Sequence, residues 1–315
     1  MKVLVTGGAG YIGSHLVLSL KGRGEEVIVA DNLSSGRRSR IPDVPLVEVD
    51  LRSPSSIPLL TDAMAGVDAV VHFAALKRID ESFEHPAEYF QTNIGGLSTV
   101  LLAMRDAGVR RLAFSSSASV YSAESGVVSE GAPTVPPSPY GETKLIGEQL
   151  VAHAAVAYGL ATASLRYFNV AGLAAPELVE EGASNLIPQV LRRLAAGERP
   201  QIYGVDYPTP DGSCIRDFVH VTDVAEAHLA VIDALDPTVP GHRVYNLGTG
   251  RGYSVIEVIK AICAAKGIDY DPELLRRRSG DLAEVVAAVS RLQVETGWSA
   301  RFTLDDIITS VVGAS

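Results

Sequence analysis

Tyr140 and Lys144 stand four residues apart in the run Pro139-Tyr-Gly-Glu-Thr-Lys144. On a helix that spacing puts both side chains on one face, one turn apart. A phenol held beside an ammonium can take up a proton and return it. Ionising a free tyrosine at neutral pH costs about 4 kcal/mol, because its pKa lies near ~10. A fixed cation close by is expected to lower that cost. Three serines, Ser115, Ser116 and Ser117, end an apolar run ahead of the pair. One of their hydroxyls could hydrogen-bond a substrate oxygen beside Tyr140.

These groups need a scaffold, and the chain start supplies its first unit. Val3 to Val5 is a short β-branched run of the kind found in buried parallel strands. Gly7, Gly10 and Gly13 follow at once, and residues 14–23 have helical character. Strand, glycine turn and helix are the context of a dinucleotide fingerprint. Gly7 allows the tight turn, Gly10 lets backbone approach a pyrophosphate, and Gly13 lets the helix pack closely on the strand. The pyrophosphate is expected at the helix N-terminus. A second strand, 26–30, ends in Asp31, whose carboxylate can accept bonds from ribose hydroxyls and repels a 2′-phosphate. Arg37 and Arg38 could pair with such a phosphate, but Asp31 lies nearer the strand end, which favours NAD over NADP. A third strand, 46–49, leads to Asp50-Leu51. Asp50 reads either as an adenine contact or as the N-cap of a helix over 53–64.

Further strands are expected at 69–73, 111–115 and 161–167, with helices near 86–105 and 140–158. Such alternation implies an α/β, doubly wound parallel sheet, with ligands at the carboxyl ends of its strands. Loops are expected at 122–139, 171–184 and 200–213. Residues 215–235 return to strand-then-helix character, and the chain from Gly248 reads as helical and loop-rich. The expected division is a nucleotide-binding domain of Rossmann type at 1–167 and a smaller C-terminal α/β substrate domain at 168–315. Residues 216–238 are expected to return to the first domain.

The 315-residue chain is 47% hydrophobic, which suits a sizeable core and two subdomains. No run of 18 or more apolar residues occurs, so no membrane span is expected. A strand beginning at Val3 leaves no room for a signal peptide. Cys214 and Cys263 give neither a disulfide framework nor a metal-ligand spacing, so a reducing cytoplasm and no metal are expected. A net charge of −10 argues against nucleic acid or anionic membrane as partner. An anionic substrate therefore needs a local cluster of arginines. His72 and His220 read as satisfied core histidines, and Trp298 is expected to pack near the C-terminus.

Five segments carry a resemblance: residues 5–15, 114–121 and 139–144, then Arg-Tyr-Phe-Asn-Val-Ala-Gly at 166–172 and Arg-Asp-Phe-Val-His-Val at 216–221. Together they resemble the UDP-galactose (UDP-glucose) 4-epimerase family of the extended short-chain dehydrogenase/reductases. The likeness runs over nearly the whole chain. More specific to the epimerases are Phe73-Ala74-Ala-Leu-Lys77 with Asn93, Asn169 with Asn185-Leu186-Ile-Pro, the run 206–213, and Arg277-Arg-Ser-Gly-Asp281.

The resemblance implies that Tyr140 is the catalytic acid/base, Lys144 its electrostatic partner and a ribose ligand, and Ser117 the hydroxyl that positions the sugar. It implies an NAD site formed by Gly7, Gly10, Tyr11, Ile12, Gly13, Asp31, Asn32, Asp50, Leu51, Phe73, Ala74, Lys77, Asn93, Ser115, Tyr140, Lys144 and Tyr167. For the UDP-sugar it implies Lys77, Ser117, Asn169, Asn185, Leu186, Tyr203, Arg216, Arg278 and Asp281. Val285 falls where a tyrosine in relatives excludes an N-acetyl group. The implied reaction removes the hydride from C4 of the hexose to NAD, turns the 4-keto sugar over, and returns the hydride to its other face. Related 4,6-dehydratases carry an Asp-Glu pair after the serine, where this chain has Ala118-Ser119. UDP-glucuronate 4-epimerisation, which Arg78 could favour, and a non-catalytic NAD-sensing role are the alternatives. Many relatives form two-fold dimers, so the apolar faces of the helices near 86–105 and 140–158 are expected to join a homodimer.

Overall fold

The structure, a computed structural model, describes residues 1–122, 126–180, 185–278 and 281–313. Its first half alternates strand and helix. β1 (Lys2–Thr6), α1 (Tyr11–Gly22), β2 (Glu26–Asp31), β3 (Leu46–Glu48), α2 (Ile57–Ala63) and β4 (Ala69–His72) come first. α3 (Ile79–Glu84), α4 (Pro86–Phe90) and α5 (Gly96–Ala107) follow, then β5 (Arg111–Ser117), β6 (Gly126–Val128), α6 (Pro139–Tyr158) and β7 (Ala161–Tyr167). Beyond Tyr167 lie β8 (Asn169–Ala171), α7 (Leu186–Ala195), β9 (Gln201–Tyr203), β10 (Ile215–His220), α8 (Val221–Ala234), β11 (Gly241–Leu247) and β12 (Gly252–Ser254). The chain closes with α9 (Val255–Lys266), β13 (Glu273–Leu275), β14 (Glu284–Ala287), α10 (Ser290–Thr296) and α11 (Leu304–Val312).

Seven of these strands form one sheet in the order β11-β7-β5-β4-β1-β2-β3, with every neighbouring pair parallel. Helices cover both faces, so β4 and β7 are buried along their whole length. Chain order reverses between β1 and β4, which opens a crevice at their carboxyl ends. α6 begins with Ser138 accepting the backbone N–H of Gly141, with Pro139 in the first turn, and stops at Gly159 in the left-handed conformation.

The second half builds its own small sheet, β12-β10-β14-β6, with β8 paired to β10, and a separate β9-β13 pair. Its core packs Ile187, Val190, Ile202 and Phe218 against Val258, Ile262 and Ile307.

The expected division is corrected at three places. β10 pairs with β8, β12 and β14, so residues 216–220 belong to the small sheet. The returning piece is instead α8, whose Val224, Ala225 and Leu229 join the core under α1, and β11, which completes the large sheet beside β7. β6 also leaves the first half to pair with β14. Tertiary register decides all three, and it has no local signature. The expected loops at 122–139 and 200–213 each hold a three-residue strand, β6 and β9. The expected helix at 53–64 is a 3₁₀ turn at Pro54–Ser56 followed by α2, and Ser53, not Asp50, stands at the cap of that turn. The helix near 86–105 contains a π turn, Gln91–Gly95, between α4 and α5.

The histidines behave as expected. His72 Nδ1 bonds Thr6 Oγ1 at 2.7 Å, and His220 Nδ1 accepts the Thr222 N–H as the cap of α8. Trp298 is buried in the main core. Among the described residues no helix is long and apolar enough to cross a membrane.

Leu97, Val100, Leu101, Met104 and Val151 are consumed within the chain, buried with Leu4, Val70 and Leu112 of the sheet. Their spacing therefore reports the core, not a surplus face for a partner. Leu97→Ala is expected to destabilise the fold by about 2–5 kcal/mol. The denaturation midpoint should fall equally at every protein concentration, since the lost contacts are internal.

Candidate active site

A cavity of about 340 Å³ opens at the carboxyl ends of β1, β2 and β4. Its floor is the turn from β1 into α1. Gly7 sits at φ +68°, and a Cβ there would meet the backbone N of Ala74 at 2.6 Å. A Cβ on Gly13 would meet the Gly7 carbonyl oxygen at 2.3 Å. Both positions require glycine for the close approach of the turn to the loop after β4 and to the first turn of α1. Gly10 stands at the N-cap in extended conformation with no side chain capping the helix, so the first-turn N–H groups point to the cavity. That is a seat for a diphosphate. Asp31 lies at the edge, its carboxylate accepting the N–H groups of Ala9 at 3.0 Å and Leu33 at 2.8 Å.

The walls carry Gly10, Tyr11, Ile12, Asn32, Asp50, Leu51, Phe73, Ala74, Lys77, Ser115, Tyr140, Lys144 and Tyr167 as the sequence led one to expect. The donor set fits a dinucleotide: a glycine cradle and helix N-terminus for the diphosphate, Asp31 for a ribose. Asp50 is held by Arg52 at 2.6 Å, which keeps its carboxyl below the usual range. Arg38 donates to the Val44 carbonyl at 2.7 Å and leaves the ribose end to Asp31.

Asn93 departs from expectation. It lies behind the wall, its Oδ1 accepting the Leu76 N–H at 2.8 Å and its Nδ2 donating to Leu76 O at 3.0 Å and Thr143 Oγ1 at 2.9 Å. The π turn presents it there, so Asn93 fastens the loop after β4 to α6 rather than facing a ligand.

Tyr140 and Lys144 are both buried against β5. Lys144 Nζ donates to the Ser115 carbonyl at 2.8 Å and lies 5.9 Å from the centre of the Tyr140 ring. The Ser117 hydroxyl donates to Ser119 Oγ and accepts the Ser119 N–H, both at 3.1 Å. Burial holds the Tyr140 phenol above its ordinary value, with Ser117 opposing. Burial also pulls Lys144 down to about 7, with Glu148 opposing. The expectation that a nearby cation lowers the cost of ionising the phenol is not what dominates here: desolvation sets the direction of both shifts. Tyr167 turns its hydroxyl to His228 Nε2 at 2.6 Å.

A second cavity of about 340 Å³ adjoins the first. Tyr167 and Lys77 line one, while Asn169 and Ile79, each two residues on, line the other. Asn185, Leu186, Tyr203, Arg216, Arg278 and Asp281 gather there with Asn169. Arg216 lies 3.6 Å from Asp281, and Arg278 stacks 3.9 Å from the centre of the Tyr203 ring. Arg216 is thus not spent on Asp217 or Asp223. Asp217 holds the turn at Thr249 and Gly250, and Asp223 holds the backbone N–H groups of Arg301 and Phe302. Two guanidinium groups provide the local positive charge that an acidic chain needs for a phosphate ligand. Ser279 and Gly280, within the Arg277–Asp281 motif, lie outside the described residues, as do 181–184 of the short loop.

Ser117 and Val285 line neither cavity; Val285 sits on β14 opposite Arg216 and packs into the cluster of Ala118, Val120 and Phe168. Sequence reasoning missed Glu180, whose carboxylate pairs with Lys77 at 2.5 Å and accepts Asn185 Nδ2 at 3.3 Å. It joins the two cavities across more than a hundred residues of chain, and nothing local signals that. It also missed Glu148, one turn beyond Lys144, which the spacing does make legible.

A parallel sheet with a glycine-lined dinucleotide seat, a Ser-Tyr-Lys group and an arginine-bearing second cavity define a short-chain dehydrogenase/reductase of the extended type. The family model described as the NAD dependent epimerase/dehydratase family matches residues 3–248, and the chain belongs to that family. The UDP-glucose 4-epimerase of Halalkalibacterium halodurans is 41% identical over 307 residues, covering 96% of this chain and 91% of that protein. The structure of UDP-glucose 4-epimerase from Stenotrophomonas maltophila, with bound NAD and formylated UDP-arabinopyranose, superposes with a TM-score of 0.92 at 41% identity, covering 100% of this chain and 97% of that one. The UDP-Glc/GlcNAc 4-epimerase of Campylobacter jejuni gives a TM-score of 0.85 at 36% identity, covering 99% and 98%.

Proposed function

We propose that this chain inverts C4 of a UDP-hexose with NAD as a recycled hydride carrier, interconverting UDP-glucose and UDP-galactose. The observation that carries the residue assignment is the buried Tyr140, one turn from Lys144, beside a dinucleotide seat and next to an arginine-bearing cavity. The chemistry NAD would supply when bound is acceptance and return of one hydride. Gly7, Gly10 and Asp31 would hold its diphosphate and ribose ends. Tyr140 takes the proton from the sugar 4-hydroxyl and later returns it. Ser117 orients that hydroxyl. Arg216 and Arg278 hold the diphosphate, and Tyr203, Asn185 and Asp281 the uridine end, so the hexose alone is free to turn over.

The uronate reading rested on Arg78. Its guanidinium pairs with Asp80 at 3.1 Å and reaches toward Glu81, and it lines neither cavity. That supports an uncharged hexose. The retention of both Tyr140 and Lys144 in one buried group supports catalysis over NAD sensing. Two buried free cysteines support a place in the cytoplasm.

Association rests on only part of the apolar spacing the sequence suggested, since Leu150 stays partly exposed while Leu97, Val100, Leu101, Met104 and Val151 are buried. Phe90, Ile94 and Leu102 on one helix, and Ile146 and Leu150 on α6, stay partly exposed at helical spacing beside the exposed Val156. A second copy covering these faces makes a homodimer. Light scattering at micromolar protein is expected to give twice the chain mass, and Val156→Glu with Ile94→Glu should return it to one. A monomeric wild type would rule this out.

Tyr140→Phe keeps the ring and removes the proton acceptor. We expect kcat to fall by roughly 10²–10⁴-fold, the usual size of general acid/base catalysis, with NAD content and melting temperature near wild type. Normal turnover would remove Tyr140 from the mechanism.

By the resemblance Val285, next to the Arg216 strand, takes the position where a tyrosine would crowd C2 of the hexose, and the Campylobacter jejuni relative is described as a UDP-Glc/GlcNAc 4-epimerase. UDP-GlcNAc and UDP-GalNAc are expected to be substrates beside the plain sugars. Val285→Tyr should lower kcat/KM for the N-acetylated pair selectively, by an amount of about 1–3 kcal/mol. An unchanged ratio would show that Val285 is not the gate.

A further inference from the structure

We propose that Glu148 is a positioning residue of the reaction: it fixes α6 against β5 and β7 and supplies the negative charge that keeps Lys144 an ammonium beside Tyr140. This rests on the reading of Tyr140 and Lys144 as the proton-transfer pair.

Tyr140, Lys144 and Glu148 follow one another at four-residue steps on α6, so they share the face turned to the sheet, and all three are buried. The Glu148 carboxylate takes the Arg166 Nε at 2.9 Å and Nη2 at 2.7 Å, a fork-on-fork pair, and also the Ser116 hydroxyl. Ser116 and Arg166 face one another in the β5–β7 register. One carboxylate therefore clamps the helix to two neighbouring strands at a single level. The residues flanking that clamp are those of the site. The Ser115 carbonyl accepts Lys144, Ser117 follows Ser116 along β5, and Tyr167 follows Arg166 along β7. A slip of α6 along β5 would break the Lys144 contact and shift Tyr140 with it.

The electrostatic part follows from the same placement. Lys144 is desolvated, and Glu148 is the carboxylate that favours its charge. The other groups facing this region are His72 on β4, which burial holds neutral, Arg166 and Tyr167 on β7, Tyr121 and Glu130 beyond Arg166, and His242 on β11. Arg166 lies on the far side of Glu148 and is anchored further by stacking on the Tyr121 ring, 4.8 Å from its centre. A buried ion pair that served stability alone could be exchanged for apolar residues of similar volume at little cost. Its location one turn from Lys144 sets up a different outcome.

The test uses the NAD-loaded enzyme with UDP-galactose, and reads melting temperature, NAD content, kcat, KM and the pH profile of kcat. Glu148→Leu with Arg166→Met removes the pair without leaving an unpaired charge. We expect it to melt within a few degrees of wild type, to lose tenfold or more in kcat with KM changed less than threefold, and to lose its alkaline limb at lower pH by a unit or more. The sign follows because removing Glu148 lets Lys144 give up its proton more readily. A folded double variant with wild-type kcat and an unmoved limb overturns the proposal and leaves the pair structural. Ser116→Ala covers the case in which the double variant does not fold, since it loosens the clamp on β5 while leaving the ion pair. It is expected to lower kcat threefold or more without moving the limb, and an unchanged kcat overturns the positioning role. If Tyr140→Phe also turned over normally, the underlying assignment would fail; if it is inactive while these variants behave as wild type, only the role of Glu148 fails.

Discussion

The site depends on burying a polar helix face against a parallel sheet. α6 offers Tyr140, Thr143, Lys144 and Glu148 to β5 and β7, where an ordinary helix would offer apolar side chains. Each polar group must then find a partner, because an unmet one costs about 1–3 kcal/mol. The partners are the Ser115 carbonyl, the Ser116 hydroxyl, Arg166 and, through Thr143, Asn93. The same bonds that make the burial tolerable fix the seating of the helix that carries Tyr140. Stability and catalysis here share one set of contacts.

Burial also decides the electrostatics. In water a lysine near a tyrosine would ease its ionisation. Here both lose hydration, so the phenol rises and Lys144 drops to about 7. Glu148 opposes the loss of the Lys144 charge, while Ser117 offsets the desolvation of the phenol only in part. Charge carried by a bound ligand then has leverage over its protonation that it would lack at a solvated surface.

The second half of the chain has its own sheet and is threaded through the first. β10 runs in the small sheet, and α8 leads straight from it into the large core, with β11 beyond. Arg216 on β10 is therefore joined to the dinucleotide half with no loop between strand and helix. Glu180 adds a side-chain link between Lys77 and Asn185. In an acidic chain of net charge −10, the arginines of the second cavity concentrate positive charge where a diphosphate is to be held.

The sequence by itself determined the glycine turn, Asp31 at the end of the second strand, the Tyr140–Lys144 pair and the six strands from β1 to β7 that alternate with helices, β6 excepted. Each has a local cause: β-branched runs, helical spacing, a turn that only glycine can make. Most of the residues that the motifs and the resemblance named do line one cavity or the other, because strand ends and motifs mark them, but other wall residues, Val190 among them, carry no such mark. Only the tertiary structure decided the rest. β6, β8, β9, β12 and β13 are three residues long, too short for a periodic pattern, and exist because a neighbour pairs with them. β11 is an edge strand of mixed polarity that β7 recruits. Leu97 and Met104 read alike as core or interface until the sheet beneath them is known. Asn93 needed the π turn to show which way it faces. The protonation balance of Tyr140 and Lys144 depends on desolvation, which is a property of the packed site and not of the residues that form it.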